Sequence, residues 1–206
     1  MYTQKSISPP KRTFSCTTMK NLKSSLRKTL LARRDTLPVE LRSEYSQRIT
    51  ATLIALPEFA NAKIIHSYLS FRSEVETDRI RSLAFAAGKR VAVPMTSADN
   101  PLLLHSFIDA EEEFTTGEWN ILTPKNPNIE QSLTLSPQDI ILVPLAGFDR
   151  RKHRLGYGKG YYDRFLATQA AITIGLAFSC QEADLIPTET HDQALTMIIT
   201  EREIIR

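Results

Sequence analysis

Three of the chain's seven glycines, Gly156, Gly158 and Gly160, fall within five residues of one another. They interrupt the most basic stretch of the sequence, where six Lys/Arg and a single acid, Asp163, lie between Arg150 and Arg164. Glycine, having no Cβ, lets backbone N–H groups approach phosphate oxygens closely. Lysine and arginine offset the negative charge of a polyphosphate, and a lone carboxylate among them suits Mg2+. The residue types and spacing therefore point to a polyphosphate.

The known nucleotide signatures do not fit. A Rossmann fingerprint needs glycine where Tyr161 stands, and Gly158-Lys159-Gly160 is not the GK[ST] of a P-loop. Two other readings stay open at this level. One is a solvated basic loop whose glycines only make turns. The other is RNA binding, because GYGKGYYDRF is faintly similar to the basic-aromatic strand of an RRM. Against RNA, the segment is poor in β-branched residues and Asp163 would face the phosphates. His66, His105 and His153 fit no ligand spacing, and neither Cys16 nor Cys180 is placed to be a nucleophile.

Such a loop needs a strand before it and a helix after it. Residues 140–144 read as a strand and 161–169 as a helix, which puts the loop at the carboxyl end of a strand, where open α/β sheets bind ligands. Upstream, Leu22, Leu26 and Leu30 recur every four residues and predict an amphipathic helix over 21–35. Pro38 suits the first turn of a second helix with Leu41, Tyr45, Ile49, Leu53 and Leu56 as its stripe, stopped by Pro57. Residues 63–69 predict a strand, Thr77 an N-cap, Gly88 the C′ position of the following helix, and 90–95 a second strand. Strand, helix, strand in about thirty residues is a βαβ unit, hence a parallel sheet. Further strands are predicted at 102–107, 172–178 and 196–200, with a loop-rich region over 108–138. The expectation is one α/β domain opened by two helices that clasp it.

The net charge of +3 on 206 residues belongs to the tail. Residues 1–18 hold Lys5, Lys11 and Arg12 and no acid, which leaves 23 basic and 23 acidic residues in the remainder. The expected organisation is a disordered extension over 1–18 and a single domain over 19–206. The tail has no apolar h-region of a secretory signal, and its basic, hydroxyl-rich character makes a transit peptide the alternative to an inert extension preceding Met19. No run of about 18 apolar residues predicts a membrane helix. Two distant cysteines make neither a disulfide framework nor a metal spacing, so a reducing, cytoplasmic setting is expected, or an organelle if the tail is a transit peptide.

The stretch LVPLAGFDRRKHRLGYGKGYYDRFL strongly resembles the signature loop of the 5-formyltetrahydrofolate cyclo-ligases, also called 5,10-methenyltetrahydrofolate synthetases. The resemblance extends to Lys23-x-x-Leu26-Arg27, to Tyr68-Leu69-Ser70 with Glu74-Val75-Glu76-Thr77, to Gly88-Lys89-Arg90-Val91 with Pro94, and to His191-Asp192, over about residues 20–206. It implies a three-layer α/β/α fold with a mostly parallel sheet of the NagB/RpiA/CoA-transferase type. It also implies conversion of 5-formyltetrahydrofolate to 5,10-methenyltetrahydrofolate, with ATP as co-substrate and Mg2+ as cofactor. The partners would be a reduced folate and ATP, with no nucleic acid and no membrane, acting on a monomer.

The same resemblance distributes roles. Lys23 and Arg27 would reach ATP from one face of the first helix; read alone, they belong to a solvated basic stripe with Lys20, Lys28 and Arg34. Arg154, Leu155, Gly156, Tyr157, Gly158, Lys159, Gly160, Tyr161 and Tyr162 would cradle the triphosphate, with Lys159 nearest the transferred group and Arg154 sharing the catalytic role. Asp163 and Asp192 would hold Mg2+. Leu69, Phe71, Glu74, Trp119 and Tyr162 would receive the folate. Two positions depart from the family pattern. Tyr157 stands where some members carry Arg, leaving a phosphate contact missing or supplied by Arg151 or Lys152. Thr196 stands where several relatives carry an acid.

Overall fold

A computed structural model describes residues 16–97, 100–117, 120–130, 132–189 and 192–206. The chain opens with α1 (Cys16–Asp35), α2 (Val39–Ile54) and α3 (Pro57–Asn61), followed by β1 (Ile64–His66), α4 (Asp78–Ala86), β2 (Arg90–Ser97) and β3 (Asn100–Ile108). Then come β4 (Phe114–Thr116), β5 (Leu122–Pro124), β6 (Asn128–Glu130), β7 (Ile140–Pro144), β8 (Gly147–Phe148) and β9 (Arg154–Leu155). The last elements are α5 (Tyr161–Leu166), β10 (Ile172–Leu176), β11 (Met197–Ile199) and β12 (Ile204–Ile205).

Eight strands form one sheet in the order β12-β11-β10-β7-β1-β2-β3-β6. Its centre, from β11 to β2, is parallel, while β12, β3 and β6 pair antiparallel at the edges. Alternate residues of a strand face opposite sides. Ile65, Val91, Ile140, Leu142, Ile174 and Met197 therefore join Ile49, Leu53, Phe59, Ile80 and Ala84 from α2, α3 and α4 in one core. Ala92, Ile141, Val143 and Ile198 join Phe165 and Leu166 of α5 in the other. The sheet is thus covered on both faces, as central parallel strands require. Among the described residues no helix is long and apolar enough to cross a membrane.

Several expectations change on this frame. The first helix starts at Cys16, so residues 16–18 are helical rather than part of a disordered tail; residues 1–15 lie outside the described residues. The two opening helices do not clasp the sheet together. α2 covers a sheet face, whereas α1 docks through Leu30 and Leu26 on Leu155 and Ile186, a small separate cluster. Pro57 stops α2 and also starts α3, as its missing N–H allows at a first helical position.

Thr77 precedes α4 but makes no cap hydrogen bond. Its hydroxyl donates to the Tyr68 carbonyl at 2.7 Å and accepts from Arg81 at 2.9 Å, which fastens the preceding loop instead. The strand predicted over 63–69 ends at His66 and the one over 172–178 at Leu176, because both chains turn off the sheet to build loops at its carboxyl edge. The helix predicted over 161–169 ends at Leu166, and the Gln169 side chain turns away to bond Leu133 and Leu135. Among its described residues the region 108–138 contains three short strands, of which β6 extends the main sheet beside β3.

Candidate functional site

A cavity of about 1050 Å³ opens at the carboxyl ends of β1, β2 and β7. Tyr68 and Leu69 enter it from the chain after β1, Met95 from β2, Pro144 from the end of β7, and residues 154–163 from β9 through the start of α5. Every residue selected from the sequence lines it except Trp119, which lies outside the described residues. One wall is α1, which contributes Lys20, Lys23, Arg27, Leu31, Arg34 and Asp35 at the three- and four-residue spacing of a single helix face.

The basic end is held by paired charges. Lys23 Nζ donates to Asp192 at 2.6 Å and to Glu189 at 2.9 Å. Desolvation pulls the lysine pKa down, but the hydrogen bonds and charges of the two carboxylates outweigh it and raise the value above normal. Arg27 Nε donates to the Gly156 carbonyl at 2.7 Å, and its guanidinium lies 3.5 Å from where a Cβ on Gly158 would be. Gly158 and Gly160 adopt φ of +95° and +71°, left-handed backbone that glycine adopts without strain. Arg154 donates to Asp163 and, at 2.9 Å, to the Gln193 carbonyl, so the loop after β9 is tied to the segment carrying Asp192. Burial pulls the Arg154 pKa down, partly opposed by Asp163 and Asp192.

The hairpin before this loop is organised by Asp149, a fully buried carboxylate. It accepts the backbone N–H groups of Arg151, His153 and Ile186, each at 3.0 Å, and faces the His153 ring at 3.2 Å. Burial opposes ionisation, but these donors outweigh it and lower the carboxyl pKa. His153 is thereby accounted for as a structural partner.

The opposite end is a buried acid. Glu74 is 8 % exposed and accepts the Phe71 N–H at 2.9 Å and the Tyr157 hydroxyl. Arg34 reaches the same hydroxyl at 2.8 Å and Ser73 at 2.9 Å. Desolvation raises the Glu74 pKa, opposed by Tyr157, Phe71 and Arg34. The loop holding Glu74 is stitched by Tyr68, whose hydroxyl donates to the Val75 carbonyl at 3.0 Å. Beside this group the Tyr162 hydroxyl is buried and has no hydrogen-bond partner among the described residues. Burial first, then the Glu74 charge, push its pKa well above the usual range.

A sequence model of the 5-formyltetrahydrofolate cyclo-ligase family matches residues 19–201. The chain belongs to this family. It is 31% identical over 194 residues to the mouse 5-formyltetrahydrofolate cyclo-ligase, covering 89% of this chain and 96% of that protein. The cyclo-ligase of Escherichia coli K12 is 30% identical over 178 residues, covering 84% of this chain and 96% of the relative. Among solved structures, the 5,10-methenyltetrahydrofolate synthetase of Aquifex aeolicus superposes with a TM-score of 0.76 at 28% identity, covering 90% of this chain and 92% of that one. That of Mycoplasma pneumoniae gives a TM-score of 0.67 at 30% identity, covering 87% and 98%.

Within the cyclo-ligase frame, sequence reasoning missed two cavity-lining residues, Arg34 and Glu189, and Ser73, which holds Arg34. Arg34, placed on the solvated stripe, is 3 % exposed and faces the cavity. Its spacing of seven from Arg27 and eleven from Lys23 was the available signal, since those intervals return to one helix face. Glu189 and Ser73, partners of Lys23 and Arg34, carried no local signal. Tyr157 was grouped with the triphosphate cradle, whereas its hydroxyl bonds Glu74. Among the described residues no three His, Cys, Asp or Glu side chains gather into a metal centre of their own.

Proposed function

We propose that this protein closes 5-formyltetrahydrofolate to 5,10-methenyltetrahydrofolate, with ATP converted to ADP and phosphate. The observation that carries the reading is the polarity of one cavity. It has a cationic group built from α1 and the glycine loop, and a buried carboxylate at Glu74, with Leu69, Met95 and Leu103 as apolar parts of the same lining. A triphosphate suits the first. A pterin suits the second, because a carboxylate can accept paired N–H bonds from its aminopyrimidine and an apolar wall receives its flat ring.

In this reaction the formyl oxygen attacks the γ-phosphorus and ADP leaves. N10 of the folate then attacks the activated formyl carbon, and phosphate departs with the original formyl oxygen. No protein nucleophile is required. The chain's task is to position the two substrates and to stabilise charge spreading over the phosphoryl oxygens. Arg154, Lys23 and Arg27 line the cavity around the loop as ligands for the triphosphate, and Lys159 is assigned to the migrating group. The loop backbone supplies N–H donors where Gly156, Gly158 and Gly160 allow close approach.

Asp163 and Asp192 are chemically suited to Mg2+, which takes one or two carboxylates beside phosphate oxygens and water. When bound, the ion would neutralise charge on the phosphate oxygens. Each carboxylate now has a cationic partner, Arg154 and Lys23 respectively, and these cations are the groups that would turn to the triphosphate.

The test is an ATP-dependent rise in absorbance of the methenyl product, with 5-formyltetrahydrofolate and Mg2+ present. A folded protein that binds both substrates yet yields no methenyl product would overturn the reading.

A further inference from the structure

The bond from Tyr157 to Glu74 crosses the cavity from the glycine loop to the loop after β1. It is built unlike a permanent tie. The tyrosine is 43 % exposed, and its hydroxyl is held by two polar partners, Glu74 and Arg34, which stays on α1 when the ring leaves. Its loop has open space at Gly156, where a Cβ would meet nothing within 4 Å, and left-handed glycines at 158 and 160; the Arg27 bond to the Gly156 carbonyl is the contact that a movement of the loop would strain.

The other half of the contact is a carboxylate short of donors. Glu74 accepts only two hydrogen bonds among the described residues, from Phe71 and Tyr157, although a carboxylate has about four acceptor sites. A buried carboxylate so sparsely paired calls for further donors. The Tyr162 hydroxyl adds a second deficit: it belongs to the lining of the same cavity and is buried without a partner among the described residues. Two groups of one cavity are thus under-satisfied while the tyrosine stands on Glu74, which is the pattern of a site closed on itself.

We propose that Tyr157 determines folate access: its hydroxyl stands on Glu74 in place of the pterin's N–H donors, and folate binding displaces it, moving the glycine loop. The inference rests on the reading of Glu74 as the pterin-binding carboxylate. Lys159 lies two positions along the same loop, so folate occupancy sets the position of the phosphate cradle. Folate and ATP are coupled through one side chain.

The experiment is calorimetric titration of 5-formyltetrahydrofolate, without nucleotide, into wild type, Tyr157→Phe and Glu74→Gln, with amide hydrogen exchange followed over residues 156–160. Removing the competing hydroxyl should lower the folate Kd about tenfold. In wild type, folate should raise amide exchange in the loop; in Tyr157→Phe exchange should already be high before folate is added. Glu74→Gln should weaken folate binding. Equal or weaker folate binding by Tyr157→Phe, with Glu74→Gln still impaired, overturns the displacement alone. Unimpaired binding by Glu74→Gln overturns the assignment of Glu74, and the displacement with it.

Discussion

Lys23 and Asp192 are 169 positions apart in the chain and 2.6 Å apart in the fold. The contact closes the cationic end of the cavity, joining α1 to the segment before β11. Glu189 shares the same ammonium, so one lysine holds two carboxylates that would otherwise repel.

Lys23→Met should therefore act in two ways. Loss of charge-assisted hydrogen bonds at a half-buried site should lower stability by about 1–2 kcal/mol, read as a lower urea midpoint. The affinity for ATP should fall about tenfold or more, read by equilibrium titration. Unchanged ATP affinity would take Lys23 out of the nucleotide site and leave it as a clamp.

Lys159→Ala should reduce kcat by about 10²–10³ while the folate Kd changes little, because a donor to the migrating phosphoryl matters in the transition state. Turnover and folate titration on the same preparation separate the two effects. An unchanged kcat would remove the lysine from the reacting group.

Gly147→Ala probes how α1 is seated. A Cβ at this position would lie 2.1 Å from Leu30 Cδ1 and 3.3 Å from the Gln181 carbonyl oxygen. Leu30 is fully buried, so its methyl has little room to retreat, and overpacking of this kind costs about 1–3 kcal/mol. Leu30 lies between Arg27 and Arg34 on α1, so the KM for ATP should rise as the helix shifts. Adding Leu30→Ala to Gly147→Ala should restore part of that KM; no restoration would show that the glycine is needed for another reason.

Stability should also depend on pH through His66 and His105, which pack against Phe165 with His66 Nε2 and His105 Nδ1 3.1 Å apart. Burial lowers the pKa of both, that of His105 from 6.5 to about 4. For a base with a depressed folded pKa, the unfolded chain takes up the proton first. The stability is then complete above pH 6.5 and is lost as pH falls toward about 4, by up to about 3 kcal/mol at His105. A urea midpoint unchanged between pH 7 and pH 5 would show that the pair is not held neutral.

How much was legible beforehand follows from the range of each interaction. The amphipathic stripe of α1, Pro38 ahead of α2, Gly88 after α4 and strands β2, β3 and β7 rest on neighbours a few residues away, and all were readable. The place of the loop 156–160 in the cavity wall was readable too, since glycines at that spacing mark a tight turn after a strand. Thr77 misled because its hydroxyl had two possible uses, and a carbonyl nine residues back together with Arg81 prevailed over the cap. The short strands β4, β5 and β6 were hidden because three residues are too few to show a period.

By itself, then, the sequence determined the mostly parallel α/β sheet, the membership of the family and which glycine-laced loop lines the cavity, since these depend on local pattern and on an ordered set of motifs. Only the tertiary structure decided which charge answers which. Arg34 is a site residue and not a solvated one because helix rotation turns it inward with Lys23 and Arg27. Tyr157 belongs with Glu74 because the glycine loop crosses the cavity, bringing together residues 83 positions apart. Such pairings are set by long-range packing, and their partners leave no mark on the residues beside them in the chain.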